Sequence, residues 1–541
     1  MPRSRSVTPL AVVCLTATAW AQALMPPPAP FENRTTAAKA LLGKALFWDE
    51  QLSSDNTMAC GSCHRPGAGG ADPRLGRHPG PDALFHSADD RLGSPGVVRS
   101  DAAGTYSPSP LFGLTPQVTA RVTPTNLGAA WQSALRWDGR ATETFVDPVT
   151  RTLRIMFGGA LENHAAGPPV DPAEMAYAAR GWADIAQKLG RVRPLALATN
   201  LPADLAQALA GGGVDYGELM RRAYGDRGID ATRILYALAA YQRTLVPDQT
   251  PWDRYVLGNA AALSQDQRAG LALFEGAAHC AQCHTTPLFS DGSFRNLGLR
   301  PVGEDLGWQL ATTDPTDRGK FKVPTLRLAG LRNRFMHNGQ FATLAQVVEF
   351  YDRGGGAFPD NKDPALVPLG LNAVQKAQLV EFLAHALTDP RAAAETAPFD
   401  RPTLWSERAP AAFGAALAGS GGIAPRTLHE APAALGNAEF RIGIADALGA
   451  APAVLLFAAA AGAPGQQLGA LPIHVALVPP PILVPIALLG HGAGAGHATL
   501  GLPIPDLAAL RGASLVHQAV VLDPAAPGGI AGSAGYGHLL F

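Results

Sequence analysis

Four of the chain's five cysteines stand in two Cys-x-x-Cys-His runs, Cys60-Gly61-Ser62-Cys63-His64 and Cys280-Ala281-Gln282-Cys283-His284. Two thiols three residues apart can meet the two vinyl groups of one haem as thioethers, and the adjacent His can reach the iron as an axial ligand. Zinc or thiol redox chemistry is the other use of such residues. The two pairs are far apart, however, and each has its own adjacent His. Two c-type haems are therefore the expectation. Each iron then has a sixth position, which carries electrons when filled and binds oxygen species when open or displaceable.

The elements around these motifs repeat. A helical pattern from Thr36 to Phe47 precedes the first motif, and one from Ser264 to Phe274 precedes the second. This reads as a weak internal duplication, two haem domains in tandem. Long Gly/Pro/Asp-rich loops follow each motif, at 65–124 and 285–320. Helices are expected within 172–246 (Pro172 to Leu189, Leu201 to Ala210, Asp230 to Leu245) and at Leu344 to Tyr351 and Ala373 to Leu387. Beyond about Pro410 charges thin out. Short apolar runs between Gly/Pro turns there (Phe440 to Ile444, Ala453 to Phe457, Ile473 to Val478, Ser514 to Leu522) fit a small β-sandwich.

The chain has 541 residues, 47% hydrophobic and 16% charged, which is ample for buried cores and argues against wholesale disorder. Its formal net charge of -1 offers no basic field for nucleic acid or anionic membrane. Arg3 and Arg5, the apolar run Leu10 to Trp20 and Ala21-Gln22-Ala23 read as a cleaved signal peptide over residues 1–23. Cleavage removes Cys14 and implies an exported protein, periplasmic or extracellular. No other segment offers about 18 consecutive apolar residues.

From about Ala37 to Leu387 the motifs resemble one family, the bacterial di-haem cytochrome c peroxidases and their MauG-type relatives. The marks are CGSCH at 60–64, Thr123-Pro124-Thr125, Trp137-Asp138-Gly139-Arg140-Ala141, Leu161 to Pro168 and Glu174-Met175. In the second half they are CAQCH at 280–284, Phe321 to Arg327, Met336-His337-Asn338-Gly339 and Thr343-Leu344 leading to Tyr351. The resemblance implies a mainly α fold: an N-terminal haem domain with a helical extension (24–255), a C-terminal haem domain (256–400), both cytochrome c-like with long loops, and a β-rich accessory domain at 410–541.

By the same resemblance the N-terminal haem is the peroxidatic one, with His64 proximal and Glu162 as catalytic acid. Moving a proton between the two peroxide oxygens is what such an acid must do. His78 is the candidate sixth ligand at rest, with His86 a rival. The C-terminal haem transfers electrons, with His284 proximal and Tyr351 on the far side, where peroxidases carry Met and MauG-type proteins Tyr; Met336 is the rival. The chain departs from the family in three places. Thr142 to Ala160 reads as an inserted hairpin that makes Glu143 and Asp147 competitors of Glu162. Leu135 replaces a common Gln, and His164 stands where Gln is usual. Trp131 and Trp137 lie near the motifs without an assigned relay role. A Ca²⁺ between the domains and a homodimer are further features the resemblance allows.

The expected activity is reduction of H₂O₂ to water with electrons from a small cytochrome c or cupredoxin. The competing readings are a MauG-like oxidoreductase acting on a protein or organic substrate, favoured by Tyr351, and a non-enzymatic di-haem electron carrier.

Overall fold

The computed structural model describes residues 24–429 and 431–541. The expected signal peptide lies outside the described residues. The first core forms around helix α1 (Ala37–Phe47), which Thr36 caps by accepting the Lys39 N–H. Leu42 and Leu46 of α1 pack against Ile234, Leu238 and Tyr241, all buried. Helix α2 (Ala160–Ala165) reaches this core through Ala165, while its Ala160 and Leu161 join a neighbouring cluster with Ala239. Helix α3 (Ala231–Gln242) is capped by Asp230 and carries the partners of α1. The α1–α3 crossing is very close at Gly43: a Cβ there would fall 1.9 Å from the Ala237 carbonyl oxygen.

The second half repeats the device. Helix α4 (Gln265–Glu275) starts on a Ser264/Gln267 capping box and leads to the second motif. It crosses the later helix Ala373–Glu381 at Gly270, where a Cβ would lie 2.1 Å from the Gln378 carbonyl oxygen. Phe274, Phe289, Phe382 and Trp252 form the aromatic centre of this core. Arg327, fully buried, clamps Asp253 through two 2.8 Å hydrogen bonds and lies over Trp252. Helix α5 (Leu344–Asp352) completes the half, on a Thr343/Gln346 capping box.

The duplication is visible in the backbone between these helices. Gly128 and Leu328 both take positive φ (99° and 64°), and a short helical turn follows each, Ala129–Trp131 and Ala329–Leu331. Arg136 and Gly139 (67° and 69°) repeat as Met336 and Gly339 (65° and 72°). Non-glycine residues rarely adopt this region, so two matched cases mark one tight turn used twice.

Some expectations change. The segment 65–124 is not structureless: Gly76–His78 pairs with Arg91–Gly93, and Pro95–Val98 with Pro116–Val118. The helix expected from Pro172 begins only at Trp182, because Glu174, Met175 and Ala176 turn their N–H groups back onto the Asp171 carbonyl. The inserted segment is a hairpin as expected, Phe145–Val146 against Leu153–Ile155.

Besides a two-stranded ribbon, Gln467–Leu468 against Leu471–Pro472, the C-terminal region holds two larger antiparallel sheets. One contains β1 (Arg426–Leu428), β2 (Arg441–Ala447) and β5 (Gly496–Gly501) in the order β1-β2-β5; the other contains β3 (Pro452–Ala458), β4 (Ile482–Ala487), β6 (Ser514–Leu522), β7 (Ile530–Gly532) and β8 (Tyr536–Leu539) in the order β4-β3-β6-β7, with β8 also on β6. Ile442 and Ile444 of the first sheet share one core with Leu455, Ala519 and Val521 of the second. Residues 473–478 do not form the expected strand: Ile473 and Ala476 donate to the Gln466 and Ala460 carbonyls and His474 donates to the Gln518 side chain, which leaves Val475 with an isolated bridge to Ala461.

Gly43→Val should lower thermal stability strongly, by about 1–3 kcal/mol or more, because α1 must move off α3. Gly213→Ala, which meets nothing within 4 Å, should leave the melting curve unchanged within error.

Candidate active site

The first motif opens as a helical turn, Cys60–Cys63, against Trp48. Gly61 is required there, since a Cβ would overlap the Trp48 ring at 2.2 Å. The His64 ring engages the Gly70 carbonyl oxygen through Nδ1 at 3.0 Å. In the second motif the His284 Nδ1 engages the Phe289 carbonyl oxygen at 2.9 Å. Each contact fixes the tautomer and leaves Nε2 as a lone-pair donor, the usual support of a metal-bound imidazole. Burial pushes both histidines below their ordinary pKa, so both are neutral. All four cysteines are free thiols, and burial raises Cys60 and Cys280 to about 12.

Each motif lines its own chamber. The first, about 500 Å³, is walled by Cys60, Cys63, His64, Met58, His164 and Glu174, among others. The second, about 220 Å³, is walled by Cys280, Cys283, His284, Met336, His337 and Tyr351, with a largely apolar remainder. The two cysteine pairs therefore share no site. Among the described residues no group of three or more His, Cys, Asp or Glu side chains could hold a metal ion by itself. Two thiols and a neutral imidazole on one wall of an apolar chamber suit a haem, and this happens twice.

Helix α2 forms part of the first chamber's wall, and its phase decides which residues look inward. His164 and Ala165 reach the wall; Glu162 does not. The Glu162 carboxylate is fully buried. It accepts two hydrogen bonds from Arg243 (2.8 and 2.9 Å) and one from Asn33 (2.7 Å). The structure thus places Glu162, expected as the catalytic acid, behind the wall, with its oxygens engaged in anchoring α2. The rivals in the insert do no better. Asp147 caps the hairpin turn, accepting from Val149, Thr150 and Thr232, and Glu143 faces Gly158. Of the carboxyls that line the chamber (Asp171, Glu174, Glu304 and Asp305), Glu174 is the one that burial raises to about 7.

The expected sixth ligand His78 lies apart from the first motif's chamber in this structure. It sits on the Gly76–His78 strand outside both chambers, with its ring edge on Phe112 and its Nδ1 accepting the Gly80 N–H. His86 lies on the same exposed loop. Tyr351 and its rival Met336 both reach the second chamber. Burial, then the neighbouring Cys280 and Cys283, raise the Tyr351 phenol above its ordinary pKa.

Between the chambers lies a charged seam. Arg121 grips Asp305 of the second half through 2.6 and 2.8 Å hydrogen bonds and also pairs with the fully buried Asp138. Burial alone would raise Asp305, but the Arg121 hydrogen bonds and charge outweigh it and hold the carboxyl at about 2. Trp137 lines both chambers, donates its indole N–H to the Val122 carbonyl oxygen at 2.8 Å, and accepts the Lys322 backbone N–H at its own carbonyl. Asn126, beside Thr325 on a third cavity between the halves, keeps both side-chain polar atoms buried and unpartnered. Trp131 lies away from both main chambers, its N–H on the Met25 carbonyl oxygen.

Sequence reasoning missed Glu174 as a site residue, because a regular helix was expected there. It also missed Arg243, Asn33 and Arg121, whose partners are far away in the chain; no local pattern marks them.

The buried Glu162–Arg243 pair gives a clear stability test. Arg243→Met leaves a buried carboxylate unpaired and should cost about 3–5 kcal/mol. In the double variant with Glu162→Gln much of that loss should be recovered, as read by chemical denaturation. Equal loss in both would mean that Arg243 acts by packing alone.

Residues 37–261 match the family model described as di-haem cytochrome c peroxidase. The methylamine utilization protein MauG of Methylorubrum extorquens is 32% identical over 368 residues, spanning 68% of this chain and 82% of that protein. The cytochrome-c peroxidase IdrP1 of a Pseudomonas species is 30% identical over 420 residues, spanning 72% of this chain and 89% of that protein. Among solved structures, a MauG-like protein associated with microbial copper homeostasis superposes with a TM-score of 0.51 at 24% identity, covering 70% of this chain and 96% of its own, a likeness of fold. With the twin Cys-x-x-Cys-His chambers and relatives of this identity matched over more than four-fifths of their length, the chain belongs to the di-haem cytochrome c peroxidase family, which includes MauG.

Proposed function

We propose that this chain is a peroxidase that reduces H₂O₂ to water, using two c-type haems. One is attached through Cys60 and Cys63 with His64 as axial ligand, the other through Cys280 and Cys283 with His284. The observation that carries the reading is the repeated wall: two thiols and one Nδ1-anchored imidazole facing an apolar chamber, in each half. When bound, the haems supply one-electron redox chemistry and oxygen–oxygen bond activation.

The chain's own part is proton delivery, orientation and insulation. Reducing one H₂O₂ to two waters takes two electrons and two protons. Glu174, poised near neutrality on the first chamber's wall, is the carboxyl suited to hold and release a proton there, since transfer is most effective when pKa and working pH match. Arg136 and Arg140 line the same wall and lower the Glu174 pKa against burial. Glu162 acts as a positioning residue, pinning α2 from behind. In the second chamber Tyr351 is the proposed sixth ligand. A hard oxygen donor there favours ferric iron and a lower potential than Met would give. Asn126, with its unpartnered amide oxygen, is the residue suited to a Ca²⁺ between the halves.

The remaining assignments belong to the same proposal. The chain is exported behind a leader at 1–23; among the described residues no helix is long and apolar enough to cross a membrane. Cytochrome c-like domains occupy 24–255 and 256–400, and the β-sandwich-like accessory domain occupies 410–541. A small cytochrome or cupredoxin delivers electrons at the second haem. Tyr351 keeps a second reading in play, MauG-like oxidation of a protein or organic substrate.

The deciding experiment mixes the haem-loaded protein with H₂O₂ and a reduced small cytochrome. Fast donor oxidation supports the peroxidase; a long-lived oxidised protein without donor turnover moves the assignment to the MauG-like reading. Glu174→Gln should cut turnover by about 10²–10⁴-fold and remove an ionisation near neutrality from the kcat/KM profile. If Glu162→Gln does this instead, with folding and both haems intact, the acid is Glu162.

Tyr351→Phe should alter one low-spin signal in the EPR spectrum and leave both haems attached. Met336→Leu should leave that signal unchanged; the reverse pattern would transfer the ligand role to Met336.

A further inference from the structure

We infer that His164 is the second axial ligand of the first chamber's iron, opposite His64. The inference rests on the haem-attachment reading of the two Cys-x-x-Cys-His motifs and names a ligand which that reading leaves open. The ring centres of His64 and His164 are 6.3 Å apart, with planes at 78°. Two imidazoles bound to one metal from opposite sides, each at about 2 Å as in other metal–imidazole bonds, put their ring centres about 6 Å apart. Both rings line the same chamber.

The surroundings of His164 fit a ligand and no other evident role. Its Nδ1 is buried without a hydrogen-bond partner, an uncommon state for a polar atom in a folded protein. Burial, then the charge of Arg136, keep the ring neutral, the form that binds metal. The helix that carries it is held rigidly from behind by the buried Glu162–Arg243 pair and by Asn33.

The internal duplication points the same way. The matched turns end at Gly139 and Gly339, and after the inserted hairpin α2 takes the place that α5 takes in the second half. With Leu161 set against Leu344, His164 falls on Val347 and Glu162 on Ala345. Val347 lines the second chamber, as does Tyr351 one turn further on, and Ala345 does not. The same helix face thus looks into both chambers, and in the first half it offers an imidazole. The first iron is then six-coordinate at rest, closed to peroxide until His164 leaves.

The test uses the full chain matured with c-type haem. A pyridine haemochrome assay counts haems, and EPR and visible spectra of the ferric protein read spin state. The wild type should hold two haems and show no high-spin ferric signal. His164→Gly should keep two haems and turn one of them high-spin. Added imidazole should restore the low-spin spectrum, and cyanide should bind that haem at least tenfold faster than in the wild type. His164→Gln, a milder change, should also produce high-spin iron, whereas His78→Ala should not. A high-spin signal in the wild type, or an unchanged spectrum in a two-haem His164→Gly protein, overturns the assignment. Fewer than two haems in the wild type would instead overturn the attachment reading beneath it.

Discussion

Arg121 stands between two carboxylates that belong to different halves of the chain, the fully buried Asp138 and the largely shielded Asp305. Charges removed from water are tolerated only when paired, and breaking such a set leaves an uncompensated charge. The seam therefore fixes how the two haem-binding halves meet. Because Asp138 follows Trp137 directly, the same contact fixes the indole that lines both chambers. Because Asp305 lies in the loop after the second motif, the second half also closes the first chamber, to which it contributes Asp305 and Leu306. Neither chamber is complete without this docking.

Within each half a simpler rule operates. A helix precedes the Cys-x-x-Cys-His run and is drawn against a second helix by a glycine at the crossing, Gly43 in one half and Gly270 in the other. This close packing leaves the motif at the edge of a core rather than within it, with its thiols facing a chamber. The loop after the motif then turns back so that one carbonyl oxygen meets the Nδ1 of the histidine. Duplication explains why these parts recur, and divergence explains why the chambers differ. The hairpin inserted in the first half precedes α2, and the two helices that face the chambers carry His164 in one case and Tyr351 in the other.

The β-rich region is attached through polar contacts as well as packing. Lys188 meets Glu439 at 2.7 Å, Asn56 reaches Asn437, and the Arg441 guanidinium lies over Tyr106. All of these join it to the first half, at the helix Trp182–Leu189 and at the loop segments that carry Asn56 and Tyr106. Its contribution on this geometry is to cover and brace that half.

The sequence by itself determined the chemistry that needs residues close together in the chain. Cys-x-x-Cys-His is local, so both motifs and the chemistry they propose could be read directly; helix starts at Thr36, Asp230, Ser264 and Thr343 were equally legible, because a cap and its helix are neighbours. The alternating apolar runs near Arg441, Pro452 and Ser514 likewise announced strands. Tertiary structure decided what depends on direction. Whether Glu162 or His164 looks into the chamber is a matter of helix phase, set by Arg243 and Asn33, which lie far off in sequence. Glu174 reaches the wall only because the chain turns at Asp171 instead of continuing as a helix. His78 was drawn outside by pairing with Arg91–Gly93. Local pattern encodes local backbone, whereas the orientation of a side chain toward a site is decided by distant residues that bury, pair or exclude it.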